Sequence, residues 1–300
     1  MEKERWFMTQ NKPLKDKIAL VAGGTRGAGR GIAMALGEAG ATVYVTGRTT
    51  RMSSSPIGRK ETIEETAERV ESRGGIGIAV RVDHSVPEEV EALMKRIEMA
   101  HGRLDILVND IWGGERLTHW GKPFWASPLK DGLAMQHGVL DTHYMTAHYA
   151  MPLLIRSESG LLAEITDGVD YKYRGNLPYS LSKIWGIHMA AGLSEELKPY
   201  GICAVSLTPG FLRSEEMLAH FGVTEANWRD AGEKDPNFLQ SETPLYVGRA
   251  LACLAADPGK GSLSGRHLSS WELSERYGFV DEDGTQPHWG RHEQKLLSQP

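Results

Sequence analysis

Lys17-Ile18-Ala19-Leu20-Val21-Ala22-Gly23-Gly24-Thr25-Arg26-Gly27-Ala28-Gly29 is the stretch on which the fold turns. Residues 17–22 are nearly unbroken in apolar side chains, the pattern of a parallel strand covered on both faces. After the glycines, residues 30–39 place Ile32, Ala33, Ala35 and Leu36 on one helical face. Gly40-Ala41 ends that helix, and Thr42-Val43-Tyr44-Val45-Thr46-Gly47 reads as a second strand. A strand, a glycine turn, a helix and a strand form a unit whose backbone can approach a pyrophosphate at the helix N-terminus. The spacing Gly-xxx-Gly-x-Gly (Gly23, Gly27, Gly29) is longer than the G-x-G-x-x-G of many dinucleotide sites.

Some 150 residues later, Pro178-Tyr179-Ser180-Leu181-Ser182-Lys183 places a tyrosine and a lysine four apart. On a helix these share one face. A cation beside the phenol favours the phenolate, so the tyrosine becomes able to exchange a proton with a carbonyl or alcohol oxygen near neutral pH. Of the nine tyrosines, only Tyr179 has a lysine four residues on.

Between and beyond these motifs, strands and helices alternate. Strands are expected over 76–82, 104–109, 161–166, 202–207 and 266–269. Helices are expected over 62–73, 87–100, 129–156 (bent before Pro152), 178–199 and 244–256. Residues 49–60 read as a polar loop, 111–127 as irregular and rich in Trp and Gly, and 210–243 as a long segment. Alternation of this kind predicts a single α/β domain with a doubly wound parallel sheet of Rossmann type and its ligand at the strands' C-terminal ends. The domain reading is an extension over 1–14, the sheet domain over 15–270 with a substrate lid at about 210–243, and a tail over 271–300.

The 300 residues are 40% hydrophobic, enough for one sizeable core. A net charge of −5 gives no electrostatic reason to expect nucleic acid or an anionic membrane. Met1-Glu2-Lys3-Glu4-Arg5-Trp6 has no apolar h-region, and no run approaches a membrane span. Cys203 and Cys253 have neither metal nor redox spacing and read as small buried hydrophobes of a reducing, cytoplasmic compartment. The histidines show no metal-ligand spacing, so no metal is expected.

On the glycine loop and Tyr179-xxx-Lys183, the chain resembles the short-chain dehydrogenases/reductases from about residue 15 to about 284. Ala41-Thr42-Val43-Tyr44-Val45-Thr46-Gly47-Arg48, Phe124-Trp125, Asn176-Leu177-Pro178-Tyr179 and Ser274-Glu275-Arg276-Tyr277-Gly278 point to one subgroup of that family. The resemblance implies cofactor contacts from Gly23, Thr25, Arg26, Gly27 and Ala28. It also places Asp83 at the adenine, unless Asp83 is a turn or capping residue, and it matches Asn109 to the first residue of an Asn-Asn-Ala-Gly motif that Asp110-Ile111-Trp112-Gly113 otherwise abandons. Pro209, Gly210, Leu212 and Ser214 resemble the segment near the nicotinamide amide. At the end of the second strand an NAD site usually carries an acidic residue, whereas here Gly47 is followed by Arg48, with Arg26 in the glycine loop. Two guanidiniums suit a 2′-phosphate, so the expected cofactor is NADP(H).

Relatives place a serine thirteen residues before the tyrosine, which here is Thr166; its hydroxyl can still donate. The asparagine that many carry about forty residues before it is replaced by Val139, with Gln136 and His137 as neighbours of expected structural role. The expected activity is hydride transfer between NADP(H) and a carbonyl or alcohol carbon, with Tyr179 as acid and base, Lys183 lowering its pKa and holding the ribose, and Thr166 donating to the oxygen. The alternative is a non-catalytic NADP sensor on the same fold. An isomerase or dehydratase is a smaller rival. Trp112, Trp120, Phe124, Trp125, Tyr171, Tyr173 and Trp185 form either an aromatic substrate pocket or core and interface, with Phe211 to Phe221 as a lid. The resemblance further implies a homo-oligomer built on the helices at 129–156 and 178–199.

Overall fold

The computed structural model describes residues 12–55 and 58–298, so the reading of the first six residues, and most of the expected extension over 1–14, lies outside the described residues. Among the described residues, seven strands form one sheet: β1 (Ile18–Ala22), β2 (Thr42–Gly47), β3 (Ile76–Arg81), β4 (Ile106–Asn109), β5 (Leu161–Ile165), β6 (Cys203–Thr208) and β7 (His267–Ser269). Their order is β3-β2-β1-β4-β5-β6-β7, and every pair is parallel. The five residues of β1 are all buried, as its continuous apolar run requires. Alternation along it still matters: Ala19 and Val21 join one core cluster, Ile18 and Leu20 the other.

The helices divide between those two faces. Helices α1 (Gly27–Glu38), α2 (Ile63–Ser72) and, further along the chain, α7 (Pro244–Ala256) cover the first. Helices α3 (Pro87–His101), α4 (Leu129–Leu154) and α5 (Leu177–Leu197) cover the second. Between β6 and α7 stand α6 (Glu215–Phe221) and a small separate core of Phe221, Trp228, Ala231 and Phe238. Beyond β7 come α8 (Ser270–Tyr277) and α9 (Trp289–Leu297), so the segment expected as a tail is largely helical. The first helix starts at Gly27, three residues earlier than its apolar pattern, because the glycine turn itself supplies the first turn. Helix α4 runs through Pro152 and stops two residues later.

Sheet order reverses between β1 and β4, which opens a crevice between the loops that follow them. Gly23 crosses that crevice at φ +91°, and a Cβ there would strike the carbonyl of Asp110. On the opposite side of α1, Gly31 faces the backbone of Pro244 with no room for a side chain, which sets the α1–α7 packing. Gly31→Val should therefore lower stability by about 2 kcal/mol or more through overpacking. Chemical denaturation checks it; an unchanged midpoint would contradict the backbone contact.

Candidate active site

A cleft of about 820 Å³ lies at the C-terminal ends of the strands, and loops after β1, β2, β3, β4, β5 and β6 all contribute to it. Every expected site residue except Asn109 lines it.

Tyr179 owes its position to the start of α5. The Asn176 side chain caps the helix by accepting the Tyr179 N–H at 3.1 Å, and its amide donates to the His119 carbonyl at 3.1 Å. Pro178 occupies the first turn, where no backbone donor is needed. Tyr179 and Lys183 then share a face, yet they do not pair in the expected way. The Lys183 ammonium lies 4.0 Å above the Trp112 ring and 5.5 Å from the Tyr179 ring centre. The phenol instead donates to Asp167 Oδ2 at 2.8 Å. Burial and the Asp167 carboxylate hold the phenol well above its ordinary value, against the expectation that Lys183 lowers it. Burial lowers Lys183, opposed by Asp167, Asp110 and Glu115.

Thr166 is buried and its hydroxyl donates to the Lys183 carbonyl at 2.7 Å, so it braces α5 rather than the phenol. The group on the phenol is the next residue, Asp167, which the count of thirteen passes over. Val139 is buried and lines the cleft. Gln136 donates to the Pro178 carbonyl at 2.7 Å, and His137 pairs with Asp141, so neither replaces the asparagine.

At the other end, the glycine loop is already met by an anion of the chain. Glu215 Oε2 accepts the Gly27 N–H at 2.8 Å, at the N-terminus of α1, while its other oxygen lies 3.3 Å from Arg30. Arg30 is buried and donates to Thr25 O, Thr66 and Glu65, locking the loop onto α2. A carboxylate on this N–H is a stand-in for a phosphate, so the loop fits a dinucleotide. Gly47 has no room for an acidic side chain, because its Cβ would meet the Thr25 hydroxyl. Arg26 lies 3.9 Å from Glu115, and Arg48 3.9 Å from Asp83. Ala28 lines the same stretch, and Pro209, Gly210, Leu212 and Ser214 line the far wall. Gly210 donates to the buried Glu242, whose carboxyl burial pushes up to about 8.

Asn109 is the correction. It is fully buried, and its amide donates to Glu164 at 2.7 Å and to the His143 carbonyl at 3.3 Å. Glu164 also meets His143 Nδ1 at 2.6 Å, and His143 Nε2 meets the Ile111 carbonyl at 3.0 Å. This network ties β4, β5 and α4 together and supports the loop after β4. A buried carboxylate captures the amide, so Asn109 is turned away from the cleft.

Of the aromatic residues, Trp112 and Trp120 line the cleft and flank the Tyr179 ring at 5.5 and 5.2 Å. Phe124, Trp125, Tyr171 and Tyr173 are exposed, and Trp185 is not part of the cleft wall. Sequence reasoning missed Asp167, Glu215 and Arg30, as well as Trp271, Trp289 and Glu293, which reach the cleft from the C-terminal segment. Among the described residues no group of His, Cys, Asp and Glu could hold a metal ion, and no helix is long and apolar enough to cross a membrane.

A family model described as short chain dehydrogenase matches residues 17–223. The chain is similar to Dehydrogenase/reductase SDR family member 1 of Mus musculus, 34% identical over 91% of this chain and 85% of that protein. It is 33% identical to the Homo sapiens protein of the same name, over 91% and 85%. Among solved structures, a Shigella flexneri chain described as a short chain dehydrogenase complexed with NADP superposes with a TM-score of 0.70 at 20% identity, over 87% of this chain and 99% of that one. The chain belongs to the short-chain dehydrogenase/reductase family, and the subgroup motifs agree with its similarity to family member 1.

The buried network makes a pH prediction. Burial opposes a charge on His143, but the Glu164 carboxylate and the Ile111 carbonyl outweigh it and raise the imidazole above its ordinary value. The pair's stabilisation is therefore complete below the unfolded histidine value of about 6.5 and is lost as pH rises through the raised folded one. In Glu164→Gln that pH-dependent part should disappear. Urea unfolding of both proteins across this range checks it; parallel pH curves would contradict the assignment.

Proposed function

We propose that this short-chain dehydrogenase/reductase is an NADP(H)-dependent oxidoreductase acting on the carbonyl or alcohol carbon of a small, apolar or aromatic substrate. One observation carries the reading. A single cleft joins an anion-ready glycine loop, two guanidiniums and the Tyr179–Lys183 face, with Trp112 and Trp120 beside the phenol.

Arg26 and Arg48 would hold the 2′-phosphate; both lie almost 4 Å from their carboxylate partners, too long for hydrogen bonds, which leaves their donors to a ligand. Gly23, Thr25, Gly27 and Ala28 would face the pyrophosphate, Asp83 the adenine, and Pro209, Gly210 and Leu212 the nicotinamide amide. When bound, the cofactor supplies or accepts a hydride. The chain's own work is positional and electrostatic. Tyr179 gives a proton to the substrate oxygen or takes one from it, Lys183 holds the ribose hydroxyls, and the aromatic rings exclude water. Thr166 acts through the backbone of Lys183. A pure NADP sensor would have no need of a phenol fixed by a helix cap and a carboxylate at the cleft wall.

The apolar side chains exposed on α4 and α5, among them Leu129, Leu133, Tyr144 and Leu181, support a homo-oligomer built on these helices. Two free, buried cysteines fit a reducing cytoplasm.

The test is loss of NADPH absorbance with a panel of ketones, aldehydes and quinones. Wild type should consume NADPH, and Tyr179→Phe should lose turnover by at least about 10²-fold while binding NADPH within a few-fold. Full activity in the variant would refute the role of Tyr179. Arg48→Asp should weaken NADPH relative to NADH by roughly tenfold or more, since a carboxylate would repel the phosphate. Equal affinities in wild type would overturn the cofactor assignment.

A further inference from the structure

The Tyr179 phenol lacks the proton route that the chemistry would ordinarily take through the lysine. Lys183 sits on the Trp112 ring, 4.0 Å away, and not on the phenol. Of the α4 residues that line the cleft, Val139 is apolar and buried, and the Thr142 hydroxyl donates to the Gly138 and Val139 carbonyls. Thr166 donates to the Lys183 carbonyl. Among the described residues, the one polar group on the phenol oxygen is Asp167, at 2.8 Å, and its side chain is 44% exposed. It therefore touches both the reacting proton and solvent.

We propose that Asp167 is the proton acceptor and donor behind Tyr179, so that the pair works as a two-step relay between substrate oxygen and water. The proposal rests on the oxidoreductase reading above. In alcohol oxidation the substrate O–H bond breaks and its proton passes to the phenol oxygen, while the phenol O–H bond breaks and its proton passes to Asp167 Oδ2. The carbon's hydride, with two electrons, goes to the oxidised nicotinamide. The alcohol becomes a carbonyl, the nicotinamide is reduced, and Asp167 releases the proton to solvent. In reduction every transfer runs backwards, with protonated Asp167 refilling the phenol as it protonates the oxygen. The phenol is neutral at the start and at the end. A tyrosine that resists ionisation can therefore still exchange protons near neutral pH, which neither Lys183 nor the position of Val139 allows here.

Several charges bear on Asp167. Arg174 lies 3.7 Å from its Oδ1 and also pairs with Asp170, on the same loop. Lys183 faces it from α5, and Asp110 and Glu115 act on the same phenol–lysine pair from the loop after β4.

Asp167→Asn tests the relay in two ways. In the cofactor-free protein, the ring-carbon resonance of Tyr179, assigned by comparison with Tyr179→Phe, should titrate at lower pH once the carboxylate is gone. In NADP⁺-linked oxidation of the alcohol that corresponds to the best substrate of the panel, wild-type turnover should rise with ionisation of a carboxyl group. The variant should lose about 10²-fold near neutral pH and recover only as the phenol itself ionises. Formate should restore part of the neutral-pH rate to Asp167→Ala but none to Tyr179→Phe, a response that a merely structural role would not produce. An unmoved phenol titration, or an unchanged pH profile in an active variant, overturns the relay. Absence of turnover in wild type on every substrate would instead refute the oxidoreductase reading.

Discussion

Parallel pairing allows no tight return between neighbouring strands, and this constraint organises the molecule. Each strand must be followed by a crossover, so the C-terminal ends of the strands collect along one edge. At the β1–β4 reversal the crossovers leave to opposite faces, and the edge opens into the cleft. Everything with chemical potential stands on loops or helix starts at that edge: the glycine turn after β1, Arg48 after β2, Asp83 after β3, Trp112 after β4, Asp167 after β5 and Pro209 after β6. The buried Asn109–Glu164–His143 network fixes β4 and β5 side by side below these loops. The capped start of α5 then sets the height of Tyr179 above them.

Opposing charges act on the phenol, Asp167 and Glu115 holding its proton and Arg174 favouring the phenolate, and Lys183 lies too far off to tip the balance. Lys183 would favour the phenolate, but its ammonium lies over the Trp112 face. Asp167 is at hydrogen-bond distance and, as a carboxylate, accepts the phenolic proton without offering one. Desolvation acts in the same direction as Asp167, so the neutral phenol wins. At the far end of the cleft, Glu215 on the Gly27 N–H and Arg30 shows the same economy. The chain satisfies with its own carboxylate a site whose dipole and donors call for an anion.

The fold was legible because its signals are local. Continuous apolar strands, a glycine turn and helical spacing all lie within windows of a dozen residues, and the strand over 42–47 and the helix over 244–256 fall where the pattern places them. The Tyr179–Lys183 face was legible for the same reason. What the pattern could not show were contacts between distant segments. Glu215 meets Gly27 across 188 residues, and Trp289 and Glu293 reach the cleft from a segment whose polar composition read as a tail. Thr166 illustrates a different limit. Counting back from the tyrosine assumes a loop of fixed length, and in this loop the side chain that meets the phenol is one position later. Asn109 fails because a family match preserves the residue type while a buried glutamate, invisible to that match, redirects its amide.

If the cleft is the proposed NADP site centred on Tyr179 and Lys183, a crystal structure of the chain with NADP⁺ will show it. The account predicts phosphate oxygens in place of Glu215 at the Gly27 N–H, and the 2′-phosphate between Arg26 and Arg48. It also predicts Lys183 on the ribose, withdrawn from Trp112, with the phenol still joined to Asp167. Glu215 still on the Gly27 N–H and Lys183 still on Trp112 at saturating NADP⁺, or a nicotinamide bound away from Tyr179, would contradict it.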